Sequence, residues 1–217
     1  MAKINNIGGF YRYLEWLMWI FYLNILWIVF MCIGLIAFGI FPATVAMFTV
    51  YRGWFRRDVV DINLTKTFLQ AYKKDFLKAN AIGYIIVAIG YFLYLDFQFL
   101  ANIEGVMLYV MQTGLIILGL IYIVMTLHIF PVYVHFDLKF LNNFKHAMLI
   151  GLYSPLSTIV MILGLVIINF LFSKIPGLIP AIGISLSAAI IMACALFAFH
   201  SIDKKQQKLV AETEDES

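Results

Sequence analysis

Five apolar runs, each close to the length that crosses a lipid bilayer, leave this chain few ways to fold. They lie at residues 17–40, 79–95, 106–130, 149–172 and 178–199. About 20 apolar residues in a helix span the hydrocarbon core. Inside hydrocarbon the backbone must satisfy its own hydrogen bonds, which selects helices over open sheets. The expected fold class is therefore all-α: a polytopic membrane helix bundle with about five transmembrane helices, forming one integral membrane domain over 1–217. The chain is 64% hydrophobic and 12% charged, against about 45–50% and about 25% in soluble domains. The first run is also longer than the roughly 7–15 apolar residues of a signal peptide, so its helix is expected to stay in the mature protein.

The first run reaches Phe41-Pro42-Ala43-Thr44, stays apolar to Val50, and then meets Arg52, Arg56 and Arg57. Proline removes a backbone donor and clashes with the preceding turn. A kink or break is therefore expected at Pro42, where the first membrane helix would reach the cytoplasmic surface and turn. The run from 17 to 55 is too long for one straight span. A tilted span with a bent extension, or a re-entrant leg over 41–55, would absorb it, and that leg should pack inside the bundle.

Residues 51–78 hold Arg52, Arg56, Arg57, Lys66, Lys73, Lys74 and Lys78. Within them Phe68, Leu69, Tyr72, Phe76 and Leu77 recur at helical spacing, with lysines on the other face. That pattern suits a helix lying on the membrane surface or docking a cytoplasmic partner. A second polar stretch, 131–146, holds Lys139 and Lys145. The tail 203–217 carries Lys204, Lys205 and Lys208 before Glu212, Glu214, Asp215 and Glu216, and is expected to be flexible. The remaining basic residues are Lys3, Arg12 and Lys174. Lysine and arginine mark the cytoplasmic side, so both larger loops and the C-terminus are expected there. Five spans put the N-terminus outside, whereas a returning leg over 41–55 would put it on the side of the loops.

Polar residues within the runs are few. Asn24 is expected to find a partner on another helix, as packing glue or as part of a substrate path. Trp16, Trp19 and Trp27 suit interfacial anchoring and core packing better than sugar stacking. Arg12 and Glu15 are spaced to pair on one helix face. Ala181, Ser185, Ala189 and Ala193 fall every fourth residue, a stripe that lets another helix approach closely. His128 and His135 flank Pro131 near the end of the third run. Cys32 and Cys194 stand alone, without metal-ligand or redox spacing.

A repeat is also legible. Phe41-Pro42 and Phe130-Pro131 each precede a basic amphipathic segment. Phe68-Leu69-Gln70-Ala71-Tyr72-Lys73-Lys74 matches Phe140-Leu141-Asn142-Asn143-Phe144-Lys145-His146. Both copies run in the same direction, so the repeat would be parallel.

Several of these blocks carry a family resemblance. Phe10-Tyr11-Arg12-Tyr13-Leu14, Leu23-Asn24-Ile25-Leu26-Trp27, Phe41-Pro42-Ala43-Thr44 and Arg52-Gly53-Trp54, with the later Phe130-Pro131-Val132 and Asn143-Phe144-Lys145-His146-Ala147, resemble the YesL family of bacterial integral membrane proteins. The likeness covers nearly the whole chain; His135-Phe136-Asp137 departs from it, where the family carries a basic-acidic pair. It implies a multi-pass protein of the bacterial cell membrane. By that resemblance, members occur mostly in Gram-positive bacteria, often beside genes for carbohydrate ABC importers and polysaccharide breakdown. That is association and not mechanism.

The functional expectation is an accessory or permease-like component of carbohydrate ABC import, with a non-transporting membrane scaffold or regulator as the alternative. No P-loop is present to power transport. Paired acids, metal-ligand spacing and a nucleophile–base pair are lacking, so enzyme chemistry at His128, His135 or Glu15 is not expected, and neither is a cofactor or metal. The expected partners are the lipid bilayer and importer subunits, with self-association into a homo-oligomer left open; nucleic acid is not expected. The residues singled out for function or packing are Asn24, Trp27, Pro42, Thr44, Arg52, Pro131 and Lys145.

Overall fold

The computed structural model describes residues 3–56, 63–100 and 103–215. Arg57, Asp58 and Asp61 of the basic stretch, and the side chain of Arg12 with its expected pairing to Glu15, lie outside the described residues. Seven α-helices follow in order: α1 (Lys3–Ile33), α2 (Ile40–Arg56), α3 (Leu64–Leu100), α4 (Val106–His135), α5 (Phe140–Tyr153), α6 (Pro155–Lys174) and α7 (Ile184–Asp215). A π-helical turn, Ile179–Gly183, opens α7. Five segments are long and apolar enough to cross a membrane: Leu14–Ile33, α3, α4, α6 and Ile179–Lys205. The helix bundle expected from the apolar runs is what the chain forms.

The first break falls before Pro42, not at it. α1 stops at Ile33, and Leu35 (φ 56°) and Ile36 (φ 62°) take left-handed backbone. That conformation is costly for a β-branched side chain. Pro42 sits in the first turn of α2, where its missing N–H would have had no partner inside the helix. Side chains of α3 close the carbonyls that the break exposes. Tyr72 Oη donates to the Phe30 carbonyl and Tyr84 Oη to that of Ala37, each at 3.1 Å, and Asn80 Nδ2 donates to Phe38 at 2.9 Å. Phe38 lies four residues before Pro42, so Asn80 supplies the donor that proline lacks.

α1 and α2 form an antiparallel hairpin. Trp27 Nε1 donates to Thr44 Oγ1 at 3.0 Å near its middle. At its open end Trp16 and Trp19 pack on Trp54, with ring centroids 5.0 and 5.5 Å apart. The leg of α2 therefore returns to the end where α1 began. Five candidate spans remain, but Trp16 of α1 packs on Trp54 and Phe55, so the N-terminal part of α1 lies at the end of the bundle that carries Arg52 and Arg56, the arrangement expected of a returning leg over 41–55. The turn before Pro42 is at the far end of the hairpin from the arginines, so it is not the basic surface expected there. As expected for a returning leg, α2 is buried over much of its surface, including Ala43, Val45, Ala46, Met47 and Tyr51.

The expected surface helix at 68–77 is not a separate element. It is the first part of α3, a continuous helix of 37 residues, about 55 Å at 1.5 Å per residue. Phe68 and Tyr72 are buried and pack on Phe30 of α1, with ring centroids 5.2 and 5.0 Å apart. Their apolar face is therefore spent on protein rather than lipid. Gly83 lets the Phe41 ring lie against α3, and Gly90 does the same for the Tyr122 hydroxyl.

α4 runs antiparallel to α3, with Tyr122 Oη donating to the Ile86 carbonyl at 3.2 Å and Tyr133 Oη to Asp75 at 2.8 Å. It continues through Pro131 to His135, where the sequence suggested an end at Phe130-Pro131. The two Phe-Pro pairs therefore differ in role: one opens a helix and the other lies in the last turns of one. α5 folds back along α4, with Gly151 against Val124 and His128. Pro155 then opens α6, so the fourth span starts at residue 155 and not at 149.

α6 and α7 are antiparallel, joined by the hydrogen bond from Ser157 Oγ to the Cys194 carbonyl at 2.7 Å. α7 continues through the polar tail to Asp215. Its buried face holds Ser185, Ala188, Ala189, Met192, Ala195 and Ala198, whereas Ala193 is exposed. A stripe at every fourth residue turns by about 40° per step around a helix of 3.6 residues per turn. It therefore leaves the interface after two or three steps.

Candidate functional site

Two polar constellations stand out in an otherwise apolar bundle. The first is buried where α1, α2 and α7 meet. Asn24, 1% exposed, donates from Nδ2 to the Pro180 carbonyl at 2.7 Å and accepts from the Ser185 N–H at 3.0 Å. These two backbone groups are five residues apart, where the π-helical turn hands over to α7 and the regular hydrogen-bond ladder is interrupted. Ser185 Oγ is bonded to Tyr51 Oη at 2.5 Å. Asn24 thus does the packing work expected of a polar group in hydrocarbon, and it does so on backbone. Both of its polar atoms have protein partners here.

The second is a cleft at the end of the bundle where the basic residues gather. α2 brings Arg52; α3 brings Lys74, Asp75 and Lys78; the end of α4 brings Tyr133, Val134 and His135; the connection to α5 brings Asp137; and α5 brings Asn143. Its volume is about 330 Å³. Arg52 Nη1 donates to the Val134 carbonyl, a group near the end of α4 that has no helical partner ahead of it. This bond ties α2 to α4 and holds the guanidinium at the wall of the cleft. Asp75 is fixed by Tyr133 Oη. His135 lies against Phe136 and Phe199, with ring centroids 4.6 and 4.5 Å apart. Asn143 bonds back onto its own helix, donating from Nδ2 to the Lys139 and Phe140 carbonyls at 3.3 Å each. Asn143 Oδ1 and His135 Nδ1 are buried without a partner.

The residues singled out from sequence do not converge. Arg52 lines the cleft. Trp27 and Thr44 bond to each other, and Thr44 also donates to the Ile40 carbonyl at 2.8 Å. Pro42 is buried in the opening turn of α2, and Pro131 is buried in α4, three residues before the cleft residue Val134. Lys145 is exposed on α5. Of the three groups weighed for chemistry, Glu15 is exposed, His128 is buried against Gly151 with Nδ1 on the Val124 carbonyl at 2.9 Å, and His135 faces the cleft. Among the described residues no group of three His, Cys, Asp or Glu side chains could hold a metal ion.

Sequence reasoning missed Tyr133, Asp75 and Asn143 as neighbours. Only Asn143 carried a sequence signal, the local match of 68–74 to 140–146, which put it opposite the buried Ala71. An Asn where the matching position is a small apolar residue marks a polar demand in the second copy.

Comparison with known proteins gives a consistent picture. A family described as "Protein of unknown function, DUF624" matches residues 20–97, which include α2 and most of α3. The chain is similar to three proteins of Bacillus subtilis (strain 168). It is 33% identical to "Uncharacterized protein YteU" over 86% of this chain and 83% of that protein. It is 32% identical to "Uncharacterized protein YesV" over 95% and 99%, and 31% identical to "Uncharacterized protein YesL" over 96% and 98%. No solved structure matches.

Proposed function

The chain belongs to the YesL-like DUF624 family, and from that premise we propose that it is a non-catalytic membrane accessory protein that docks, through its basic end, on a carbohydrate ABC importer. The single observation that carries this reading is the gathering of charge at one end of the bundle. Arg52 and Arg56, Lys74 and Lys78, the Lys139–Lys145 stretch and Lys204–Lys205 all belong to the end where α2 and α4 finish and α6 begins. Lys174, Asp96 and Glu104 belong to the other. By the lysine and arginine bias this end is cytoplasmic, within reach of the subunits that hydrolyse ATP.

Accessory is favoured over permease because five buried or half-buried polar side chains of α1, α2 and α7 serve packing. Asn24, Trp27, Thr44, Tyr51 and Ser185 are bonded to one another or to backbone. A sugar path calls for polar groups turned toward a passage. The same feature supports the second reading, a scaffold or regulator that contacts no transporter.

Purification of the tagged protein from native membranes in mild detergent should recover a membrane subunit of a carbohydrate importer. Recovery of the protein by itself, together with normal sugar uptake in a strain lacking it, favours the scaffold. The orientation has its own check. An epitope at the N-terminus and one in the 57–62 connection should both be shielded from antibody in intact protoplasts and both exposed after lysis. An N-terminal epitope reachable from outside would refute the paired placement of α1 and α2.

A further inference from the structure

We propose that the cleft between α2, α3, α4 and α5 binds a phosphorylated polyol, its phosphate held by Lys74 and Lys78 and its hydroxyls by Asn143 and Asp137. The inference concerns a ligand and does not depend on the importer reading. The cleft, at about 330 Å³, lies at the small end of the range for small-molecule sites, about 300–1,000 Å³.

Its two walls ask for different chemistry. Lys74 and Lys78 stand one turn apart on α3 and both line the cleft. Like charges at that spacing repel, and an anion between them removes the repulsion. Asp75 stands beside them and accepts from Tyr133 Oη at 2.8 Å; its carboxylate offsets part of the lysine charge. Arg52 also lines the cleft, held on the Val134 carbonyl, and adds positive charge to the lysine ammoniums that would bind a phosphate by charge-assisted hydrogen bonds.

The lining contributed by α5 and the connection before it offers acceptors. Asn143 is 1% exposed. Its Nδ2 is spent on two carbonyls, while Oδ1 is buried and unpartnered. A buried acceptor without a donor is rare and costly. Asp137, exposed at the rim, adds a carboxylate. A second anionic group would be repelled there, whereas a hydroxyl can donate to Asp137, and to Asn143 Oδ1 once that side chain shifts toward the cleft. His135 Nδ1 is buried and unpartnered in the same cleft and can accept or donate according to its tautomer. A bare anion leaves Asn143 unmet, and a neutral polyol leaves the lysines uncompensated. A phosphate ester bearing hydroxyls answers both. Two sources carry that chemistry: a soluble polyol phosphate and the glycerol-phosphate headgroup of an anionic lipid.

The test uses the purified full-length protein. Glycerol 3-phosphate is titrated calorimetrically into protein in a neutral detergent. In parallel, protein in phosphatidylcholine nanodiscs with and without phosphatidylglycerol is assayed for retained phosphatidylglycerol by native mass spectrometry. Saturable binding of either probe is expected, with the first identifying a soluble ligand and the second a lipid headgroup. Lys74→Gln combined with Lys78→Gln should weaken it by about tenfold or more, as should Asn143→Asp. Inorganic phosphate and glycerol should each bind about tenfold more weakly than the ester. Both lysines are exposed, so the double variant is expected to melt like the parent. The proposal is overturned if neither probe binds saturably, or if binding survives the double lysine variant.

Discussion

Replacing Asn24 with leucine should lower the stability of the detergent-solubilised bundle by about 3 kcal/mol, because the change orphans two buried backbone groups at about 1–3 kcal/mol each. Leucine has the same number and branching of side-chain heavy atoms as asparagine, so no cavity is left; its bulkier methyl groups add an overpacking cost of the same sign. The Pro180 carbonyl loses its donor at 2.7 Å, and the Ser185 N–H loses its acceptor at 3.0 Å. Neither can re-form a regular helical bond without rewinding the π-helical turn. Ser185 also carries the bond to Tyr51, so the loss should spread from α1 and α7 to α2. Asn169→Leu is the matched control. Asn169 is exposed and bonds only within its own helix, to the Leu165 carbonyl, and its replacement should change little. Unfolding followed by circular dichroism against added dodecyl sulfate would measure both. A cost for Asn24→Leu no larger than that of the control would remove Asn24 from the account of how the bundle closes.

Gly39→Ala should be at least as damaging, about 3 kcal/mol or more, at the upper end of what overpacking costs. A Cβ at Gly39 would sit 2.2 Å from the Met31 carbonyl oxygen and 2.7 Å from the Met31 Cα. Those atoms are backbone and have no rotamer through which to yield. Gly34, just past the end of α1, faces the same junction, where an added Cβ would meet the Gly39 Cα at 2.4 Å. The two glycines let the α1–α2 turn close. Gly119→Ala in α4 gives the opposite sign. Nothing lies within 4 Å of its Cβ position, and alanine gains about 1 kcal/mol of helix propensity over glycine. If Gly39→Ala expresses and melts like the parent, the hairpin is not closed as described.

Different residues were legible to different degrees. The five apolar runs led directly to helices, because hydrocarbon leaves the backbone no other economical arrangement. The need for a partner at Asn24 was legible for the same reason, but the identity of the partner was not. Pro180 and Ser185 lie 156 and 161 residues away, and nothing near Asn24 names them. Pro42 was read as the break because proline disrupts helices, yet proline is also favoured in a helix's first turn. The strained pair Leu35 and Ile36 carries no local signal of a turn. Their conformation is imposed by the closing of Gly34 on Gly39 and by the α3 donors Tyr72, Asn80 and Tyr84. The amphipathic pattern at 68–77 was read correctly as a helix and wrongly as a surface one. Periodicity reports that a face is apolar and is silent on whether lipid or protein covers it.

The sequence by itself determined the solvent, the helical class and the clustering of lysine and arginine in the polar connections and the tail. These depend on local composition: apolar length, backbone self-sufficiency and the distribution of lysine and arginine. Tertiary structure alone decided that α2 is a returning leg beside α1, with Trp16 and Trp19 against Trp54, so that the N-terminal end of α1 joins the basic end. It also decided that Lys74, His135, Asp137 and Asn143 share one cleft. Both outcomes depend on contacts between segments distant along the chain, set by how apolar faces and backbone orphans find cover in three dimensions. No window of sequence contains them.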